Sequence, residues 1–369
     1  MNNQGAFFAL VRAGLWEQDV RLLPFGEVDF PEIYRLAEEQ AVTGLVAAGI
    51  GHVTDTKVPQ VEALTLIGSA LQQEQRNLAM NRFIAELVEK LQRAGINTLL
   101  VKGQGIAQCY ERPLWRSSGD IDFYLSKNNF EKAKEFFRPL VGSFEPDNEY
   151  TWHICMHYDD WAVEIHANQH SSLSPRIDRV LDEVHHDLFH NGNVRNWKVD
   201  GTTVFLPSPD NDVLIVFTHF LKHFYKGGLG LRQVCDWCRL LWTYREEVNR
   251  SLLERRLCKM RLMTEWKAFA AFAVEYLGMP VEAMPLYDPS SRWRQKGEWI
   301  CSFIMEVGNM GHNRDSGYYD RFPYLFRKAV SFGRRCKDSF RHAAVFPLDS
   351  VRFFLYITYN GLKSAFRGE

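Results

Sequence analysis

The sequence predicts an α+β fold: a small mixed β-sheet domain flanked by N-terminal and C-terminal α-helical regions. Three observations carry this. Helical periodicity runs through the first ninety or so residues and returns from Ser208 to the end. Between them, short β-type runs replace it. Two acidic turn pairs, Asp159-Asp160 and Asp200-Gly201, sit between such runs as hairpin turns do.

Taken in order, residues 31–49 carry helix formers with apolar residues three and four apart. A longer helix is predicted over 61–93, with Leu64, Ile67, Leu71, Leu78, Ile84, Leu87, Val88 and Leu91 approximating one face and Gly95 as its C-terminal stop. "INTLLV" (96–101) and "DIDFYL" (120–125) are strands, and "NFEKAKEFFRPL" (129–140) is helical. "EYTWHICMHYDDWAVEIHANQH" forms two strands joined at Asp159-Asp160, and "WKVDGTTVFLP" (197–207) a further hairpin. Ser208 suits an N-cap and Pro209 a first helical position. The expected divisions are 1–95, helical; 96–206, α+β; and 207–369, helical with a basic, aromatic tail.

Composition narrows the function classes. The 44 basic and 45 acidic residues leave a net charge of −1, so no global field favours nucleic acid as a partner. No apolar run approaches the roughly 20 residues that span a bilayer. The N-terminus lacks the basic region and cleavage site of a signal peptide. Seven scattered cysteines suit a reducing compartment, and a cytoplasmic protein is expected. Residues 321–369 differ: ten Lys or Arg face three acids among eleven aromatics. That tail is either a helical subdomain with its cations laid over an aromatic core or a contact for an anionic surface or glycan.

The stretch "LLVKGQGIAQCYERPLWRSSGDIDFYL" (99–125) raises the functional question. Aspartate is disfavoured in strands, yet Asp120 and Asp122 stand two apart on one, hence on the same face. Two such carboxylates repel, and a divalent cation between them removes the repulsion. The plainer alternative is a strand end whose aspartates cap backbone N–H groups. "WAVEIHA" adds Glu164 in mid-strand, a third acid that an adjacent strand can bring alongside. Three carboxylates can hold two metal ions for phosphoryl or nucleotidyl transfer. Upstream, Lys102, Gly103 and Gly105 follow the first strand, where glycine lets backbone approach phosphate. Arg116, Ser117 and Ser118 precede the acids and can meet phosphate oxygens if the loop folds back.

Together with "VEIHANQH", this stretch resembles the nucleotidyltransferase superfamily of polymerase-β-like fold. It is most similar to an uncharacterised bacterial branch with Lys-Gly after the first strand, Arg before Asp-x-Asp and acid-apolar-His on a later strand. The resemblance covers roughly 85–170 and extends more loosely into the flanking helices. It implies that Asp120, Asp122 and Glu164 bind Mg²⁺ (or Mn²⁺), that the Lys102–Gly103 turn holds the triphosphate of an NTP substrate, and that Glu164 helps deprotonate the acceptor. Gln104 stands where the superfamily usually has Ser, and the segment from Gly103 to Asp120 is longer than in the commonest members. The acceptor is not legible.

Other motifs point elsewhere. A metal-dependent glycosyltransferase would place several βα units before Asp-x-Asp, and only one strand precedes it here. Nothing beyond three carboxylates suggests a nuclease. "CDWC" (235–238) lies in a helical pattern without a second pair and is expected in the core. His219 and His223, four apart on one helix, lack the glutamate of a zinc protease. The resemblance suggests that His219, Arg232 and Asp236 hold the helical domain against the catalytic one. His166 shares the face of Glu164, either orienting a ligand or packing. The other histidines of 153–190 show no ligand spacing and are expected at the surface or in packing. The rival of a different class is an inactive nucleotidyltransferase-like scaffold that binds nucleotide or an anionic surface.

Overall fold

A computed structural model describes residues 2–141, 152–168, 170–313 and 323–366. It is a mixed α+β structure in which helices predominate. The chain begins with α1 (Asn3–Trp16), capped by the Asn2 side chain on the Gly5 N–H. Next come α2 (Phe30–Glu39), α3 (Thr43–Ile50) and the 34-residue α4 (Gln60–Arg93). The stretch 31–49 is therefore divided, with Ala41 at positive φ between its two helices. α1 crosses α3 closely because both carry glycine at the contact. A Cβ on Gly14 would stand 1.9 Å from the Leu45 carbonyl oxygen, and one on Gly49 2.1 Å from that of Leu10.

α4 corrects one expectation. Ile84, Leu87, Val88 and Leu91 are buried as expected, but Leu64, Ile67 and Leu71 are exposed, and the N-terminal half of the stripe runs instead through Leu66, Ala70, Asn77 and Met80. A search for large apolar residues passes over Ala70 and Asn77. Asn77 is tolerated inside because its Nδ2 donates to the carbonyls of Leu114 and Arg116, at 2.7 and 2.8 Å. Gly95 ends the helix at φ 70° as expected.

The sheet follows: β1 (Leu99–Val101), α5 (Gly103–Ala107), β2 (Ile121–Tyr124), α6 (Lys127–Phe137), β3 (His153–Tyr158) and β4 (Trp161–His166). Its order is β1-β2-β4-β3, with β2 and β4 parallel and the two outer pairs antiparallel. Strand alternation sorts the two faces. Leu100, Phe123, Val163 and Ile165 pack with Ile84 of α4 and Phe130 of α6 in one apolar core. Leu99, Val101 and Tyr124 belong to the larger helical core on the other side. The opposite face of β2 and β4 thus opens toward the C-terminal helices.

Helix α7 (Pro175–Phe189), capped by Ser174, follows the sheet. A separate hairpin of β5 (Val194–Val199) and β6 (Thr202–Pro207) turns at Asp200 and Gly201, both at positive φ. The helical part comprises α8 (Pro209–Lys226), α9 (Leu231–Thr243), α10 (Arg250–Met260), α11 (Met263–Leu277), α12 (Ser291–Val307), α13 (Tyr324–Ala343) and α14 (Pro347–Phe366). Ser208 stands at the N-cap of α8, but its hydroxyl makes no capping bond. Cys235 and Cys238 are buried in the helical core. Among the described residues, no helix is long and apolar enough to cross a membrane.

A buried acid in this core makes stability pH-dependent. Glu265 on α11 is fully buried, accepts from the Tyr225 hydroxyl at 3.1 Å and lies near the charge of Asp349 on α14. Burial, with the neighbouring Asp349 charge, pushes its carboxyl up to about 8. An unfolded glutamate titrates near pH 4.3. Between those values the native chain holds a proton that the unfolded chain has lost. Stability therefore falls as pH rises through the window, by up to about 1.4 kcal/mol per unit, and levels off above it. In urea titrations, Glu265→Gln is expected to flatten the decline between about pH 6 and pH 8. Parallel curves for variant and wild type would overturn this account.

Candidate active site

β1 ends in a backbone that only an over-determined turn holds. Lys102 adopts φ 57°, ψ −145°, a region costly for any residue but glycine, and Gly103 follows at φ 39°. This turn starts α5 and aims the Lys102 side chain across the strand end, where Nζ lies 2.8 Å from Asp122 Oδ1. Gly105 serves packing, since a Cβ there would stand 2.9 Å from a Leu206 methyl.

The parallel register pairs Asp122 with Glu164 directly. Asp120 lies exposed, Asp122 is buried and Glu164 is half-buried. One carboxylate oxygen from each lies within 4.8 Å of the others. Two histidines join them. His166 Nε2 is 3.0 Å from Asp122 Oδ1 and 3.3 Å from Glu164 Oε2; His153 Nε2 is 3.0 Å from the same Glu164 oxygen. The two imidazoles stack, with centroids 4.5 Å apart and planes 15° apart. His153, expected at the surface or in packing, thus belongs to the carboxylate cluster.

The charges are unevenly settled. Desolvation of its carboxyl and the adjacent Asp122 charge push Asp120 up from the usual carboxylate range. Burial opposes ionisation of Asp122 as well, but Lys102 and His166 override it and hold the group below that range. For Glu164, hydrogen bonds from His153 and His166 likewise outweigh burial and hold it well below. Opposed tendencies in neighbouring carboxyls mark a site built for chemistry more often than for stability. The hard oxygens and imidazole nitrogens converging here fit a divalent cation, which would relieve the crowding of Asp120 against Asp122.

α8 brings a cation, Lys222, to this face. Lys222 is lowered by burial and by Lys102, against the opposing pull of Glu164 and Asp122. One turn on, Lys226 is pushed down to about 7 by burial and by Lys222 and Arg335. Neither lysine forms an ion pair among the described residues. His219 and His223, 3.1 Å apart through their Nε2 atoms, are both lowered, chiefly by burial.

The remaining expected residues sit beside the cleft with their side chains engaged. Gln104 is buried, donating to Asn77 Oδ1 at 2.8 Å. The Ser118 hydroxyl accepts from Gln73 at 3.0 Å, and the Ser117 carbonyl accepts from both Arg116 and Arg232. Arg116 makes a two-pronged bond to Asp236 of α9, Nε and Nη2 each 2.7 Å from a carboxylate oxygen, while Tyr110 donates to the same carboxylate at 2.8 Å. The loop leading to Asp120 is therefore fastened to α4 on one side and α9 on the other.

A mixed sheet with Asp-x-Asp entering one strand, a third acid in register on its parallel neighbour and a lysine turn beside them is the arrangement of the nucleotidyltransferase superfamily. The chain belongs to the uncharacterised nucleotidyltransferase family, whose model matches residues 26–278. Neither a curated protein nor a solved structure matches it.

Proposed function

We propose that this protein is a metal-dependent nucleotidyltransferase that moves a nucleoside monophosphate from an NTP to an acceptor hydroxyl or phosphate. The observation that carries the reading is the meeting of Asp120, just before β2, with Asp122 on β2 and Glu164 on β4, beside Lys102. Asp120, Asp122 and Glu164 would hold Mg²⁺ or Mn²⁺, which supplies charge neutralisation at the reacting phosphate when bound. Lys102 and the Gly103 backbone contact the polyphosphate. Lys222, half-buried near Glu164 and Asp122 and without an ion pair among the described residues, extends that contact. The acceptor oxygen attacks the α-phosphorus, the bond to the α,β-bridging oxygen breaks and pyrophosphate leaves. The acceptor's proton passes to Glu164, which His153 and His166 keep ionised. Gln104, Arg116, Ser117 and Ser118 hold the phosphate-side loop in place. A cytoplasmic location suits the seven free thiols. An anionic surface or glycan could meet the basic tail without entering this reaction.

The test is thermal denaturation with each of the four NTPs, with and without Mg²⁺ or Mn²⁺, on wild type and an Asp120→Asn/Asp122→Asn double variant. A metal-dependent rise in Tm that the double variant loses is expected, and it names the preferred base. If no nucleotide raises Tm with either metal, the reading fails and an inactive scaffold replaces it.

A further inference from the structure

The histidines beside the carboxylates have no part in a cation site made of oxygen alone. His153 and His166 face one another across the β3–β4 hairpin, and Cys155 faces Glu164. Strand alternation places His153, Glu164, His166 and Asp122 on one face. Both Nε2 atoms approach the same oxygen of Glu164, at 3.0 and 3.3 Å. One atom each from His153, Glu164 and His166 falls within 4.8 Å of the other two, and Glu164 is common to this group and to the group of three acids. The two stacked rings thus present two nitrogen donors and a carboxylate oxygen to one small volume, open enough that the His153 side chain keeps 35% of its accessible surface.

We propose that His153, Glu164 and His166 form a second divalent-cation position with mixed nitrogen and oxygen ligands, which selects a first-row transition ion over Mg²⁺. The inference rests on the nucleotidyltransferase reading for its neighbour, the Asp120–Asp122–Glu164 position. Mg²⁺ demands hard oxygen ligands and gives up water reluctantly. Imidazole nitrogen suits transition ions, whose affinities rise along the series from Mn²⁺. Two histidines and one carboxylate form a donor set of that kind. Glu164, shared between the positions, couples occupancy of one to the other. With the ion bound, both Nε2 atoms are unprotonated and their lone pairs are ligands, replacing the hydrogen bonds they otherwise donate to Glu164.

The experiment is pulsed EPR of Mn²⁺ bound to the full chain, alone and with tripolyphosphate, which contains no nitrogen. Mn²⁺ is counted in parallel by equilibrium dialysis. Modulation from imidazole ¹⁴N is expected in wild type, with loss of that signal and of one Mn²⁺ in His153→Ala/His166→Ala. Circular dichroism checks that the variant is folded, and a milder His153→Gln/His166→Gln pair should lose the same signal. Bound Mn²⁺ without nitrogen modulation, or modulation that survives in both variants, overturns the inference and leaves the carboxylate site standing. No bound Mn²⁺, with or without tripolyphosphate, overturns the inference and the nucleotidyltransferase reading together.

Discussion

Asp122→Asn is expected to lower nucleotide transfer by about 10³-fold, the largest single effect at the site, since several kcal/mol of charge stabilisation are at stake and each 1.36 kcal/mol is tenfold in rate. Asp122 is the most enclosed of the three acids at 4% exposure, and it alone contacts both Lys102 and His166. Asparagine keeps the shape and one acceptor oxygen but removes the charge that those neighbours hold in place. Two stability effects then oppose one another. Lys102 loses its counter-charge, while Asp120 loses the repulsion that raises it. Tm should consequently move far less than turnover. The measurement is transfer of label from α-³²P NTP to protein or to a mixture of soluble acceptors, followed beside thermal denaturation. Turnover within tenfold of wild type would remove Asp122 from the reaction. A fall in Tm as large as that of a core substitution would assign it a structural role.

Arg116→Ala is expected to destabilise the fold by about 3–5 kcal/mol, because it strands Asp236 in the interior. Both partners are nearly enclosed, at 6% and 5% exposure, and the pair makes two direct bonds. The carboxylate would keep Tyr110 but lose its only cation in direct contact among the described residues. Asp236→Ala should cost a similar amount by leaving Arg116 unpaired. The apolar double replacement Arg116→Met/Asp236→Leu should recover much of the loss, as buried ion pairs often do when exchanged for packed hydrophobic side chains. Urea denaturation of the four chains closes the cycle. Single-variant losses below about 1 kcal/mol would show a pair of the weak, solvent-screened kind and would release the loop from this role. Because residues 116–118 lead directly into Asp120, the double variant should be stable yet slower in transfer than wild type.

The histidine cluster illustrates how far local signals reach. The Asp159-Asp160 turn was legible, and a two-residue turn there necessarily sets His153 opposite His166 and Cys155 opposite Glu164. Counting spacing along the chain hid this, because histidines thirteen residues apart become neighbours only through the hairpin. The signal was present in the register. Lys222 and Lys226 were visible as a pair four apart on α8, but nothing in "HFLKHFYK" says that their helix faces carboxylates.

What the sequence determined by itself were the quantities set by neighbours along the chain. These are the alternation that turns Asp120, Asp122 and Glu164 away from the apolar core, the two turn pairs, the stop at Gly95 and the helical return at Pro209. The tertiary structure alone decided which faces found partners. It buried Asn77 and left Leu64 in solvent, committed Arg116 to Asp236, paired β2 with β4 in parallel across the intervening chain and brought Lys222 of α8 to the acids. The division has one physical cause. Periodicity and turn chemistry follow from backbone geometry over a few residues, whereas burial and charge pairing depend on distant surfaces competing for the same space, and that competition is resolved only in the folded chain.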